Sequence, residues 1–356
     1  MTADTLAVAA PVARRRGGGS LWRYLLVRFL LIFPTIFILV TTVFVLMRTT
    51  GDPITAAHGG QLTHAQLQER IHAAGYDRPI IVQYFEYLGS VARGDFGVTQ
   101  DNQKVTDVLL TYGGATLELA VYALIIALIV GIPLGMLAAA VRDRWGDAIL
   151  RVFGILCYAT PVFFAGILLK LIFSVGLGWL PSSGRASPRV ELILGRVSSA
   201  TGIYTIDALR TGNPAYIVDV LQHAILPGVA LGLLTAGVFL RLVRTNVIGT
   251  LSMPYIDAAR SRGVRERRLV GTHAFRPALI PIITVMGLQI AMILGGAVLT
   301  ETTFEWAGLG YQLSQFLKAR DFVAVQGIVA LLAVIVALTN FIVDVIAAII
   351  DPRVRY

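Results

Sequence analysis

Long apolar runs, separated by polar or glycine-rich breaks, dominate the pattern along this chain of 356 residues. An α-helix needs about 20 apolar residues in a row to cross the hydrocarbon core of a bilayer. None of the runs shows the charge-bordered a/d heptads that are typical of a coiled coil. The pattern therefore predicts six transmembrane helices, at about residues 24–47, 117–141, 150–175, 220–242, 277–300 and 322–345.

Composition supports an all-α polytopic membrane protein. Hydrophobic residues make up 56% of the chain and charged residues only 14%, whereas a soluble domain carries about 25% charged residues. Cys157 is the single cysteine of the sequence. A disulfide within the chain and a metal site built on cysteine spacing are therefore both excluded.

The distribution of arginine and lysine predicts the orientation. If the N-terminus is cytoplasmic, sixteen basic residues flank the spans on the inside and six on the outside, once the long first outer loop is discounted. Short cytoplasmic loops carry such an excess, and long loops do not follow the rule. We expect both termini to be cytoplasmic, residues 1–22 to form a disordered leader, and the first span to be an uncleaved anchor.

Ionisable residues at membrane depth are few. Lys170 lies near the outer end of the third span, where it can snorkel outward or take part in a pathway, and the sequence leaves its role open. Asp344, near the inner end of the last span, is expected to pair with an arginine of the same bundle. An ion-coupled secondary transporter would need inverted repeats and midplane coupling residues, and neither is found. A membrane-bound enzyme is also disfavoured, because no nucleophile–base pair or metal constellation is present.

The first outer loop contains an aromatic stretch with helix signals, which includes Tyr84, Phe85 and Tyr87. Side chains at this spacing can rest at the membrane interface or pack on neighbouring spans. Packing is the favoured interpretation.

The cytoplasmic loop 243–276 is longer than a simple connection requires and contains two predicted helices. Ser252 suits the N-cap of the first, and Asp257 places negative charge near its positive end. Gly263 is expected to end it, and the second helix is predicted at Arg265–Phe275. A short helix with a thin alanine face suits insertion into a cleft of a soluble partner. Its arginines equally suit anionic lipid, and the residues alone leave both interpretations open.

The same loop resembles the cytoplasmic loop of ABC-importer permeases, whose pattern is Glu-Ala-Ala, three residues and Gly, with a later Pro. Here Asp257-Ala258-Ala259 precedes Gly263 by the same spacing, and Pro277 and Pro281 follow. Aspartate replaces glutamate, which keeps the charge and shortens its reach.

Further landmarks are similar to those of the dipeptide and oligopeptide permeases of ABC importers, and together they cover about residues 22–356 in order. They are Asp77-Arg78-Pro79 with Gln83-Tyr84, Arg93-Gly94-Asp95-Phe96-Gly97, Gly178-Trp179-Leu180-Pro181 with Gly184, Glu301-Thr302 with Phe304, Trp306 and Gly308-Leu309-Gly310, and the ending Asp351–Tyr356.

The resemblance implies a non-catalytic permease subunit with the type I ABC importer permease fold in a bacterial inner membrane. Two separate ATPase subunits would bind ATP and Mg, and this chain would hold no cofactor or metal and would bind no nucleic acid. No G-x-x-x-x-G-K-[ST] pattern occurs in it. A second homologous permease would complete the pathway through the bilayer, and an extracytoplasmic peptide-binding protein would deliver the substrate.

The resemblance also implies roles for particular residues. Those expected to dock on an ATPase subunit are Tyr255, Asp257, Ala258, Ala259 and Gly263. Those expected near the outer mouth, where a gate would lie, are Glu301, Phe304, Trp306 and Gly308. Nickel or another small solute is the alternative substrate within the same family, and peptide length and side-chain preference stay open.

Overall fold

The computed structural model describes residues 21–49, 54–55, 63–73, 75–196 and 201–350. All but the last two positions of the predicted leader 1–22, and the whole of Asp351–Tyr356, lie outside these residues. The described chain is helical and contains one isolated β-bridge, Val98 with Lys104. Its helices are α1 Leu21–Thr49, α2 His64–Ala73, α3 Ile80–Ala92, α4 Val105–Ala140, α5 Trp145–Ala159, α6 Val162–Leu169, α7 Pro188–Leu194, α8 Tyr204–Thr211, α9 Pro214–Leu251, α10 Pro254–Ser261, α11 Glu266–Arg268, α12 Phe275–Phe304, α13 Leu309–Lys318 and α14 Phe322–Ile350.

The predicted all-α class is confirmed, and the long helices overlap predicted spans, although α4 and α9 extend beyond the predicted ranges. In the described residues, α1, α4, α9 and α14 are each long and apolar enough to cross a membrane, and the bent pair of α5 with Val162–Gly176 makes a fifth candidate. Helix α12 occupies the predicted span 277–300 as one helix of 30 residues. The count of six spans stays a prediction.

The third predicted span, 150–175, is interrupted. Helix α5 ends at Ala159, and the chain turns by 105° before it continues as α6 and a π-helical segment, Lys170–Gly176. Pro161 has no N–H to continue the helical hydrogen bonds, and its ring disfavours helical backbone at the preceding residue. Thr160 accordingly has extended backbone, with φ −80° and ψ 123°. The third predicted span is therefore two helices joined at a proline corner.

The core of the bundle is the close packing of α4 against α9. A Cβ added at Gly232 would lie 2.7 Å from the carbonyl oxygen of Ala123, and one added at Gly131 would lie 2.7 Å from Cβ of Phe239. Without a hydrophobic driving force between helices in lipid, small residues that bring backbones together supply the contact. The glycines of these two helices thus hold the centre of the molecule, around which α12 and α14 pack.

Three charged residues of the predicted spans, Arg28, Asp344 and Lys170, have partners within the chain. Arg28 Nε lies 3.4 Å from Asp344 Oδ2, which confirms the predicted pairing. Lys170 donates a hydrogen bond to the carbonyl oxygen of Thr303, 3.1 Å away. That carbonyl belongs to the last turn of α12, where a cation offsets the negative end of the helix dipole. In this structure Lys170 stabilises the end of a neighbouring helix.

Candidate functional site

Helix α10 is the first predicted helix of the cytoplasmic loop, and it begins later than expected. Its N-cap is Met253, with Pro254 at the first helical position. Pro254 makes the residue before it extended, and Met253 has ψ 143°. The predicted N-cap, Ser252, instead donates its hydroxyl to the carbonyl oxygen of Gly249 at 2.8 Å, at the end of α9. The prediction for Ser252 is therefore wrong, and the start of α10 is set by proline.

The predicted end of this helix at Gly263 is confirmed. Gly263 has φ +79°, a left-handed conformation that costs a residue with a Cβ roughly 1–2 kcal/mol. The amide of Gly263 donates to the carbonyl of Arg260 at 2.9 Å, and that of Val264 donates to Ala259 at 3.3 Å. These two bonds make the Schellman motif, which satisfies the last carbonyls of a helix.

Helix α10 has one buried face and one exposed face of small side chains. Ile256 is completely buried and packs in a cluster with Ala139 of α4 and Val243 of α9. The opposite face carries Ala258 and Ser261, which are both exposed. Residues three and four apart share one side of a helix. The helix is therefore held to the ends of the long helices while a flat, accessible face points away from them.

The second predicted helix, Arg265–Phe275, does not end where expected. Helix α11 continues through a π-helical segment, Leu269–Ala274, directly into α12. Pro277 has no N–H to donate to the carbonyl of His273, four residues earlier. A proline inside a helix therefore interrupts the regular series of backbone hydrogen bonds. The hydroxyl of Tyr255 donates to that carbonyl at 3.3 Å. Tyr255 thus connects α10 to the helix that forms the fifth predicted span.

Arg260 joins the two short helices electrostatically. Its Nη1 lies 2.8 Å from Oδ1 of Asp257, and its Nε lies 2.7 Å from Oε1 of Glu266. The hydrogen bond to Glu266, and then the charges of both carboxylates, raise the pKa of the guanidinium above its usual value. All three side chains are exposed, and exposed ion pairs contribute little to stability. The arrangement mainly orients Asp257 beside the small face of α10.

Replacing Gly263 is expected to impair transport through backbone strain. A Cβ at this position meets no heavy atom within 4 Å, so space is available and the positive φ is the obstacle. Gly263→Val should lower uptake severalfold, whereas Gly263→Asn should keep most of it, because asparagine enters the left-handed region more readily. Substrate uptake at equal amounts of membrane protein measures this. Equal uptake by the two variants would contradict the explanation.

A buried polar cluster lies where α4, α12 and α13 meet, and it contains the four residues predicted near the outer mouth. Glu301 accepts hydrogen bonds from Oγ1 of Thr116 at 2.6 Å and from the amide of Tyr311 at 2.9 Å. The indole nitrogen of Trp306 donates to the carbonyl of Ala115 at 2.9 Å. A Cβ at Gly308 would overlap the Glu301 carboxylate. Because glycine has no Cβ, the backbone at position 308 lies closer to the Glu301 carboxylate than it could with any other residue type there.

The structure brings Glu301, Phe304, Trp306 and Gly308 together and buries all four. Trp306 and Phe304 are among the largest fully buried side chains of the described residues. In this conformation they are packed core and line no open space. Their part in a gate stays a prediction.

Sequence reasoning missed the ion pair beside this cluster. Nη2 of Arg185 lies 2.6 Å from Oε2 of Glu118, and the two side chains are 4% and 3% exposed. The guanidinium also donates to the carbonyl of Gly202 at 2.7 Å and lies 3.7 Å from the ring centre of Tyr204. The pair joins the second outer loop to α4. The sequence signal that could have revealed the pair is Glu118, a carboxylate at the start of an apolar run. An ionisable group at membrane depth requires a partner.

A second missed pair lies near the start of α5. Arg244 of α9 binds Asp147 with both ends of its guanidinium, at 2.6 Å for Nε to Oδ1 and 2.7 Å for Nη2 to Oδ2. Asp147 is 1% exposed. Bidentate pairs of this kind fix geometry as well as charge. This pair positions α5 against the end of α9 that leads into α10.

Two family models match the chain. The description "Binding-protein-dependent transport system inner membrane component" matches residues 131–356. An N-terminal model of such membrane components matches residues 21–107. The first range includes α10 and the residues that α12 and α13 contribute to the buried outer cluster, and the second includes α1 to α3.

The chain is similar to named permease proteins over nearly its whole length. It is 36% identical over 329 residues to the di/tripeptide transport system permease protein DppB of Pseudomonas aeruginosa, which covers 92% of this chain and 96% of that one. It is 36% identical to the dipeptide transport system permease protein DppB of Escherichia coli K12, over 94% of this chain and 99% of that one. It is 32% identical to the glutathione transport system permease protein GsiC of Escherichia coli O1:K1, over 94% of this chain and 99% of that one.

One solved structure, of the MetNI methionine ABC transporter in inward-facing conformations, has a TM-score of 0.49 with this chain. The sequence identity is 16%, over 67% of this chain and 93% of that one.

Proposed function

Because the chain belongs to the family of binding-protein-dependent transport system inner membrane components, we propose that it is the permease subunit of an ATP-driven importer of di- and oligopeptides. The relatives that support peptide as the substrate are named for dipeptides, di- and tripeptides, and glutathione. These ligands share a short peptide backbone. Nickel or another small solute is the alternative.

The subunit forms half of a pathway through the bacterial inner membrane, and a second homologous permease supplies the other half. The long apolar helices and the excess of arginine in the cytoplasmic segments support six spans with both termini cytoplasmic. The helical content is consistent with the type I ABC importer permease fold.

The observation that carries the coupling role is the construction of α10. Its exposed face is small and flat, and its buried residue, Ile256, packs on α4, α9 and the start of α12. A soluble ATPase subunit that binds the face with Ala258 and Ser261 would therefore move the ends of three long helices, because Ile256 packs against all of them. Packed side chains carry energetic coupling of this kind, and Ile256 packs with residues of all three helices. ATP and Mg are bound by the partner subunits, and this chain contributes no cofactor site.

On the outer side, an extracytoplasmic peptide-binding protein docks on the loops and releases its ligand into the pathway. The ion pair of Arg185 and Glu118 supports this role, because it ties the second outer loop to α4. The neighbouring Glu301 ties the segment after α12 to the same helix through Thr116. A movement imposed on the loops would thus reach α4 directly.

A reconstituted complex tests the assignment. The purified chain alone is expected to hydrolyse no ATP, whereas vesicles that contain both permeases, the ATPase subunits and the binding protein should take up a labelled dipeptide when ATP is present. Hydrolysis by the isolated chain would contradict the subunit assignment. Nickel uptake without peptide uptake by the same vesicles would favour the alternative substrate.

A further inference from the structure

Helix α3 is anchored along α1 by an aromatic cluster. The ring of Phe44 lies 5.2 Å from that of Tyr84 and stacks on Tyr87 at 5.6 Å. The hydroxyl of Tyr84 is also 2.6 Å from Oγ1 of Thr41. The favoured interpretation of these aromatic residues, packing on a span, therefore holds for both tyrosines. It does not hold for Phe85, which is 65% exposed.

The exposed part of α3 is divided into an apolar flank and a polar flank. Ile81 and Phe85 are 71% and 65% exposed, and residues four apart lie on one side of a helix. On another side, Glu86 forms an ion pair with Arg78 at 2.6 Å, and both side chains are about half exposed. Such a division is typical of a helix that places one flank against acyl chains and the other toward water.

An apolar groove adjoins the apolar flank. It has a volume of about 660 Å³, and its lining includes Phe37 and Val40 of α1, Val91 and Ala92 of α3 and Val334 of α14. Phe37 is 12 residues from the outer end of α1, which corresponds to about 18 Å along the helix. The groove therefore opens at a depth that a soluble protein does not reach.

The level of the headgroups is marked by Arg48, at the outer end of α1. Its guanidinium lies 4.5 Å from the ring centre of Tyr76 and 5.2 Å from that of Phe44. Tyrosine is enriched at the boundary between the bilayer and water, and an arginine near a helix end extends its charge to that boundary. Helix α3 packs below this level against Phe44 and Thr41, so its apolar flank is continuous with the exposed apolar face of α1 at Phe37 and Ile38.

We propose that α3 is inserted into the outer leaflet along α1, with phospholipid acyl chains against Ile81 and Phe85 and in the groove beside Ala92. Lipid is the occupant that the surface favours, because the apolar flank continues the lipid-facing side of a span while the charged flank faces away from it. The first outer loop is thereby fixed to the membrane plane on the side of α1.

Nitroxide accessibility tests this in the complete transporter reconstituted in phosphatidylethanolamine and phosphatidylglycerol vesicles. Cys157 is first replaced by serine, and spin labels are then attached at Ile81→Cys, Phe85→Cys and Ala92→Cys. Glu86→Cys is the matched control on the polar flank of the same helix. The first three labels should collide severalfold more often with oxygen than with a water-soluble nickel chelate, relative to the label at Glu86.

Two results would overturn the proposal. If the chelate reaches the labels at Ile81 and Phe85 as readily as the label at Glu86, the flank faces water. If neither reagent reaches them, another protein chain covers the flank. Peptide uptake is measured on the same vesicles, so a failure of the proposed transport activity is recognised separately from the position of α3.

Discussion

Replacing Ala258 by tryptophan is expected to abolish peptide uptake while the protein stays in the membrane at its normal amount. Ala258 lies on the exposed, small face of α10, opposite the buried Ile256. A large ring there leaves the packing of the chain untouched and prevents a partner surface from closing on the helix. Interface centres pack as densely as protein interiors, so a loss of at least about tenfold, equivalent to about 1.4 kcal/mol, is expected. Uptake of a labelled dipeptide by cells measures it.

Two controls separate docking from general damage. Ala258→Ser adds only a hydroxyl at the same position and should retain uptake. Gly271→Trp places the same ring at another exposed position of the loop, where an added Cβ meets no heavy atom within 4 Å, and should also transport. The ATPase subunits should co-purify with both controls and much less with Ala258→Trp. Normal uptake by Ala258→Trp would show that this face of α10 receives no partner.

Arg185→Met is expected to be the most destabilising change on the outer side of the molecule. It leaves the carboxylate of Glu118 buried without its cation, and the amide of Thr205, 2.7 Å away, donates the principal remaining backbone hydrogen bond to it. Removing one partner of a buried ion pair costs about 3–5 kcal/mol. The thermal unfolding midpoint of the purified protein in detergent should fall by several degrees, and less folded protein should reach the membrane.

The double variant Arg185→Met with Glu118→Gln distinguishes the ion pair from simple loss of volume. Glutamine keeps an oxygen for the amide of Thr205 and carries no charge, so most of the lost stability should return. Arg189→Met is the matched control, since Arg189 is exposed on the neighbouring helix α7, and it should change the midpoint little. A double variant no more stable than Arg185→Met would refute the electrostatic explanation.

The end of α10 was predicted from sequence because its signal is local. Gly263 ends α10 through a positive φ that glycine adopts without strain, and this depends on one residue and its two neighbours. The N-terminus was misplaced for an equally local reason. The restriction that Pro254 imposes on Met253 outweighed the capping preference of Ser252.

The outer cluster was only partly predictable. Glu301, Trp306 and Gly308 are neighbours in sequence, and the family resemblance identified them together. Arg185 and Glu118 are separated by 67 positions, and neither belongs to a short motif. Only the fold brings the second outer loop onto α4, so no local pattern could pair these two side chains.

The amino-acid pattern alone was sufficient for the helical class, for the positions of the long apolar helices and for the small face of α10. Transfer of apolar residues into the bilayer and the hydrogen-bonding needs of the backbone act residue by residue, and both can be summed along a sequence. The 105° corner at Pro161, the buried partner of Glu118 and the two exposed flanks of α3 depended on the packed structure. In each case the decisive quantity was the distance between groups far apart in the chain, or the side of a helix left uncovered. Such quantities exist only after the helices have packed.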